Sequence, residues 1–249
     1  MKGLSVITLT LNEEANIGTC LESVKWADEL IIVDSGSTDK TVTIARQYGA
    51  SVCSSDWEGY GHAKNRALTR VTKDWVLWLD ADERVTPELA DEIRTIVSSG
   101  TNDIAGYSVA RRAYFLGRWI KHCGWYPARV VRLFRRDKGR FAEKKVHEYL
   151  ILDGPVATLR HDLFHFTDPN LFHYFQKFNR YTSLAAEEMY SEGREFRFSD
   201  LFLRPFFTFV RMYFLRLGFL DGIHGLILCA ASSSYVFTKY AKLWELEQK

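Results

Sequence analysis

Five apolar residues, Trp75-Val76-Leu77-Trp78-Leu79, run straight into Asp80-Ala81-Asp82-Glu83, and this junction limits the folds open to the chain more than any other stretch. A short apolar run without polar interruption is the pattern of a strand covered on both faces, as inside a parallel sheet. Such a strand delivers its next residues to the carboxyl edge of the sheet, where open α/β sheets bind ligands. Asp80 and Asp82 lie two apart and share a side in extended geometry, with no Lys or Arg between them. A divalent cation relieves their repulsion, and oxygen-only donors suit Mg²⁺ or Mn²⁺ better than Zn²⁺. An Asp-x-Asp arises by chance roughly once in a chain of this length, so the surrounding pattern must decide.

That pattern alternates. Leu4 to Leu11 reads as a first buried strand, Asn16 to Trp26 has helical apolar spacing, and Leu30 to Val33 is a second strand. Ser37 or Thr38 is expected to cap the next helix and Gly49 to close it. Ala50 to Ser54 is a third strand, and Gly61 to Val71 a basic helix carrying His62, Lys64, Arg66 and Arg70. Thr86-Pro87 opens a further helix that ends near Gly100. The predicted class is α/β: a Rossmann-like, mostly parallel sheet with helices on both faces and right-handed crossovers. No Gly-x-Gly-x-x-Gly follows the first strand and no Walker lysine motif occurs, so phosphates need another grip. A cation on Asp80 and Asp82 is the candidate.

After residue 100 the pattern changes. Tyr107 to Tyr114 and Val130 to Phe134 read as strands, with a turn at Asp137-Lys138-Gly139. Arg111, Arg112, Arg118, Lys121, Arg129, Arg132, Arg135 and Arg136 crowd this region. They form either a solvated basic face or the counter-charge to an anionic leaving group or acceptor. The last eighty residues read as helices over Leu171 to Tyr190, Phe198 to Phe219 and Gly222 to Thr238. The third has 17 residues without a charge, short of the roughly 20 that cross a bilayer, and is read as buried or interfacial. From Leu201 to Leu220 aromatics stand beside Arg204, Arg211 and Arg216 with no acid. That suits a helix on an anionic membrane surface; packing onto the sheet or a second subunit is the alternative.

Composition narrows the class further. A net charge of +2 gives no global field for nucleic acid. Four cysteines without metal-type spacing read as reduced thiols in a cytosolic setting. The start is read as lacking a signal peptide, because Met1-Lys2-Gly3 leads directly into a strand and acids follow at Glu13-Glu14. Nothing in the sequence fixes an oligomeric state.

Four stretches together resemble one family. They are Thr8-Leu9-Thr10-Leu11-Asn12-Glu13-Glu14, then Ile32 to Thr41 with its Asp34-Ser35-Gly36-Ser37-Thr38-Asp39 turn, then Gly61 to Ala67, then Leu79 to Glu83. The chain resembles the inverting glycosyltransferases of family 2, which have a GT-A fold. Within that family it is most similar to bacterial enzymes that add glucose in a β-1,4 bond to a heptose of the lipopolysaccharide inner core. Arg129, Arg132-Leu133-Phe134, Val146-His147-Glu148 and Asp221-Gly222 share in that likeness.

The resemblance implies a role for each matching position. Thr10, Glu13 and Asp34 line the nucleobase and ribose, and Lys64 and Asn65 sit near the nucleotide. Asp80 contacts ribose or metal, and Asp82 holds the Mg²⁺ or Mn²⁺ that bridges the diphosphate. Arg129 and Arg132 belong to the substrate side. His165, or else His161, completes the metal shell or touches the diphosphate. Glu148 is the general base; many members have Glu-Asp where this chain has His-Glu, which leaves Asp153 or Glu143 as substitutes. Residues 1–165 would form the catalytic domain, with 1–100 its nucleotide-sugar half and 101–165 its acceptor and base half. Residues 166–249 would form a helical region at the inner face of the plasma membrane.

The expected activity is UDP-sugar-dependent hexosyl transfer, glucose passing from UDP-glucose to a lipopolysaccharide core acceptor. Other acceptors of the same family (a lipid phosphate, a capsular sugar, a protein) are the near alternative. A sugar nucleotidyltransferase would want a glycine-rich, basic first turn, and Leu11-Asn12-Glu13-Glu14 is acidic. A non-enzymatic membrane scaffold built on the aromatic tail would leave Asp82 without a role.

Overall fold

The computed structural model of the chain describes residues 2–54, 60–100, 103–142 and 149–248, the side chains of 60–63 excepted. In chain order the elements are β1 (Leu4–Thr10), α1 (Ile17–Val24), β2 (Glu29–Asp34), α2 (Thr41–Gln47), β3 (Ser51–Ser54), α3 (Tyr60–Thr69) and β4 (Trp75–Trp78). There follow β5 (Glu83–Val85), α4 (Pro87–Ser99), β6 (Gly106–Phe115), β7 (Arg118–Trp119), β8 (Ala128–Arg135), β9 (Gly139–Phe141), β10 (Leu150–Leu152), β11 (Val156–Thr158) and β12 (Leu163–Asp168). Helices α5 (Leu171–Ser191), α6 (Leu203–Val210) and α7 (Gly222–Glu247) end the chain.

The chain divides into two compact units, Met1–Arg111 with Arg129–His165, and Arg112–Ala128 with Phe166–Lys249. The main sheet has the order β3-β2-β1-β4-β8-β6-β12-β5. Its first half is parallel: β1 pairs with β2 on one side and β4 on the other, and β3 joins β2. Beyond β4 it turns mixed, with β8 antiparallel to β4 and β12 antiparallel to β5.

The apolar run at β4 explains the position of this strand. Trp75, Leu77 and Leu79 enter a core with Leu4, Val6, Leu21, Ile32, Leu89 and Ile93. Val76 and Trp78 point the other way, into a core with Ile7, Ile31, Val33, Val71, Phe134 and Phe141. Both faces are covered, so alternation of side chains still yields an unbroken apolar sequence. Leu77 is 1% exposed, and its replacement by Ala would cost about 2–5 kcal/mol.

The helix signals are local and mostly hold. Thr86 Oγ1 accepts from Leu89 N at 3.2 Å, Pro87 takes the first helical position, and Gly100 ends α4 at φ 64°. For α2 the cap differs from expectation. Asp39 Oδ1 accepts from Thr41 N at 2.9 Å, while Ser37 spends its hydroxyl on Asp34 and on Asn12 N.

In the second unit the stretch expected as one helix over Phe198 to Phe219 is broken. A 3₁₀ turn (Phe198–Leu201) leads into α6, a π-helical turn follows at Arg211–Leu215, and a second 3₁₀ turn spans Gly218–Asp221. Leu217 takes a left-handed φ of 54°. A side chain at Gly218 would lie 2.8 Å from Met212 O and 2.9 Å from the sulfurs of Cys123 and Cys229, so the chain must turn on a glycine there. By length and composition Gly218–Glu247 could cross a membrane, yet Leu228, Cys229, Tyr240 and Leu243 are buried within the unit.

Candidate active site

The parallel strands β1, β2 and β4 all end at one edge of the first unit, and their following residues build the site. Thr10 and Asp34 close β1 and β2 and are register partners. Thr10 Oγ1 donates to Asp34 Oδ1 at 3.0 Å, and Ser37 Oγ donates to the same oxygen at 2.5 Å. Asp34 Oδ2 accepts from Gly36 N at 3.0 Å and Ser37 N at 2.8 Å. A carboxylate has about four lone-pair sites, and Thr10 with the loop after β2 fills them all.

The loops after β1 and β2 are also stitched to each other. Asn12 N donates to Ser37 Oγ, Thr38 N to Asn12 Oδ1, Glu13 N to Thr41 Oγ1, and Lys40 N to Glu14 Oε2, all within 3.0 Å. Asn12 takes φ 56°, a left-handed conformation that asparagine tolerates better than most residues. Glu13 Oε2 accepts from Asn16 Nδ2 at 2.9 Å. The two loops are thus held in shape by their own hydrogen bonds, and preorganised loops lower the ordering cost of binding a ligand.

After β4 the chain makes a tight acidic turn. Glu83 N donates to Asp80 O at 2.9 Å, and Asp80 N donates to the Glu83 side chain at 3.1 Å. No Lys or Arg lies between these acids in the sequence, and the fold brings one to them from β8. Arg132 stands one residue beyond the Leu77–Leu133 pairing of β4 with β8. Its Nη2 donates to Asp80 Oδ2 and, at 2.6 Å, to Glu83 Oε1. Arg111 Nη1 adds a longer approach to Glu83, 3.7 Å. The partner strand is distant in sequence, so nothing local announces the pairing.

These charges set one another. Burial disfavours the charged form of Arg132, but Asp80 and Glu83 outweigh it and hold the guanidinium charged. Burial pushes the Asp80 carboxyl up, yet Arg132, Lys64 and His165 together hold it below the usual carboxylate range. Lys64 Nζ lies 5.1 Å from the Trp78 ring centroid and 5.2 Å from that of Phe141, a cation–π seat beside the acids.

Asp82 is left for another partner. The β5–β12 register sets His165 opposite Glu83, and His165 Nε2 comes within 3.4 Å of Asp82 Oδ2. Both side chains are partly open, at 18% and 19% exposure. One carboxylate oxygen and one imidazole nitrogen converging on a point fit a divalent cation that fills its shell with water and phosphate oxygens. The imidazole suits Mn²⁺ at least as well as Mg²⁺. Among the described residues no group of three or more His, Cys, Asp or Glu converges as a complete metal cage.

Other expected residues lie apart from this cluster. Asn65 makes a two-pronged clamp on Phe141, Nδ2 to O and Oδ1 from N, both 2.9 Å. Arg129 is exposed and reaches Leu159 O at 3.4 Å. His161 Nδ1 pairs with Glu92 Oε2 at 3.0 Å, so His165, not His161, stands at Asp82. Asp153 N bonds Lys138 O at 2.9 Å. Glu148 and Glu143 lie outside the described residues. Sequence reasoning gave no separate role to Glu83 and counted Arg111 only among the basic residues that could face an anionic group; a fully buried glutamate inside a polar-looking turn leaves no periodic signal.

Residues 5–165 match the profile of glycosyl transferase family 2. The chain belongs to this family. The glycosyltransferase has the GT-A fold, with the α/β unit ending at the last matched residue. It is similar end to end to the lipopolysaccharide core biosynthesis glycosyltransferase LpsC of Rhizobium meliloti, 33% identical over 97% of this chain and 92% of LpsC. An uncharacterized glycosyltransferase of Rickettsia typhi is 30% identical over 100% of this chain and 89% of its own. Among solved structures, the glycosyltransferase matches glucosyl-3-phosphoglycerate synthase from Mycobacterium tuberculosis, determined with Mn²⁺, UDP and glucosyl-3-phosphoglycerate, at 25% identity and a TM-score of 0.42. That match covers 55% of this chain and 57% of the synthase.

Proposed function

We propose that this glycosyltransferase moves glucose from UDP-glucose, with inversion, to a heptose of the lipopolysaccharide inner core, working at the inner face of the plasma membrane. The observation that supports a lipopolysaccharide core acceptor is the likeness to LpsC across 97% of the chain, which runs beyond the family match at 5–165; the heptose rests on the resemblance drawn from the sequence. The donor rests on the resemblance to the inner-core glucosyltransferases drawn from the sequence motifs. Residues 1–165 are proposed as the catalytic domain and 166–249 as its membrane-facing helical region.

In this reading the loops after β1 and β2, held by Asp34 and edged by Thr10 and Glu13, seat the uridine. Lys64 and Arg132 lend positive charge to the side where the diphosphate departs. Asp82 and His165 hold the Mg²⁺ or Mn²⁺, which when bound supplies electrostatic stabilisation to the leaving UDP. Glu148 takes the proton of the acceptor hydroxyl, whose oxygen bonds the anomeric carbon from the face opposite the departing phosphate oxygen. Back-side displacement turns an α-linked donor into a β product and needs no nucleophile from the protein.

The test incubates purified protein and divalent cation with a panel of nucleotide sugars, with and without heptose-bearing truncated lipopolysaccharide. Incorporation of hexose from UDP-glucose alone, only when the heptose is present, is the expected result. Transfer from another donor, or to a heptose-free acceptor, contradicts the assignment.

A further inference from the structure

We infer that the second unit docks onto an anionic phospholipid bilayer through the face made by α6 and the π-helical turn after it. This deepens the membrane-surface location proposed above and is independent of the sugar donor and acceptor.

Two neighbouring rows of side chains carry the inference. Phe202, Phe206 and Phe214 lie on one spacing of four, and Leu203, Phe207, Arg211 and Leu215 on the next. Phe206 and Phe207 are each 66% exposed and Leu215 69%. Pro205, on the other side, is buried. A spacing of four overshoots the 3.6-residue α-helical turn by about 40°, and the wider turn at Arg211–Leu215 takes up part of that drift. Phe219, Leu220 and Ile223 continue the exposed apolar surface along the chain. An apolar surface this long is unusual for a soluble face without a partner.

Charge decides which partner. Arg211 and Arg216 are exposed, and only two acids fall between Phe198 and Leu226. Both are turned inward. Asp200 is 7% exposed and accepts from Arg204 Nε at 2.5 Å. Asp221 is 3% exposed and accepts from His122 N at 2.9 Å, with His122 Nδ1 at 3.1 Å. The face therefore offers aromatics and arginines with no exposed carboxylate, which suits acyl chains edged by phosphate headgroups. A second copy pairing through the same patch about a two-fold axis would bring arginines together with no acid to answer them.

The experiment floats the full chain with phosphatidylcholine vesicles, with and without phosphatidylglycerol, in the absence of any sugar donor. Wild type is expected to float with the anionic vesicles. Arg211→Gln/Arg216→Gln should bind them about 30-fold more weakly, since each basic residue at the surface contributes about a fivefold factor. Phe206→Asp/Phe207→Asp should lose at least tenfold while its melting temperature is kept, and the arginine pair carries the test should the aspartates unfold the unit. Wild type that stays with the free protein, or variants that float as wild type does, would overturn the inference. So would sedimentation showing a lipid-free dimer that the aspartates split, which makes the face a subunit interface. Because flotation needs no donor, failure of docking and failure of the proposed transfer are separate results.

Discussion

Oε1 of Glu83 lies 2.6 Å from Nη2 of Arg132, across 49 residues of sequence. Glu83 is fully buried and the Arg132 side chain is 11% exposed. The same guanidinium also holds Asp80, so one buried cation fixes the turn that presents Asp82.

Arg132 compensates two carboxylates, so removing it leaves both Asp80 and Glu83 without that cation. Arg132→Met should therefore lower unfolding free energy by about 3–5 kcal/mol, measured by urea denaturation. Glu83→Ala combined with Arg132→Met should cost less than the sum of the two single changes, because the orphaned charge goes with its partner.

The Asp80 carboxyl should titrate below the ordinary value of about 3.9, since Arg132, Lys64 and His165 outweigh its burial. A depressed carboxylate lends stability that is present above its unfolded value and is lost as pH falls through its folded value. Carbon-13 NMR of labelled aspartate should place its midpoint under about 3.9 in wild type and higher in Lys64→Met. An unmoved midpoint would remove Lys64 from the local field.

Asn65 was expected near the nucleotide, and the structure gives it a second task. Its amide satisfies both backbone groups of Phe141, which β9 presents. Asn65→Ala should cost about 1–3 kcal/mol of stability, read by urea denaturation without any nucleotide. A variant as stable as wild type would leave only the ligand-contacting role.

Glu148→Gln should retain UDP-sugar binding and lose turnover by roughly 10²–10⁴, the share a general base contributes. Binding by calorimetry and single-turnover rates separate the two effects. A rate within about tenfold of wild type would send the search to Asp153 or Glu143.

The order of strands and helices in the first unit was legible because its signals are local. The β4 run, the Thr86-Pro87 start and the Gly100 stop each need only neighbours in sequence. The acidic turn was legible as charge but not as geometry. Its arginine comes from β8, its histidine from β12, and β5 pairs antiparallel at the far end of the strand order. None of those contacts has a period. The break after α6 was missed for a similar reason: Gly218 is required by sulfurs from Cys123 and Cys229, which the helical pattern of Phe198 to Phe219 does not reveal.

The proposed transfer depends on a divalent cation that Asp82 and His165 would hold against a sugar diphosphate. Electron paramagnetic resonance of Mn²⁺ titrated into protein with UDP reads that directly, through loss of the free-ion signal. Wild type should deplete the signal in a UDP-dependent way, His165→Ala should weaken the depletion, and Asp82→Ala should abolish it. Depletion by Asp82→Ala equal to that of wild type would contradict the account.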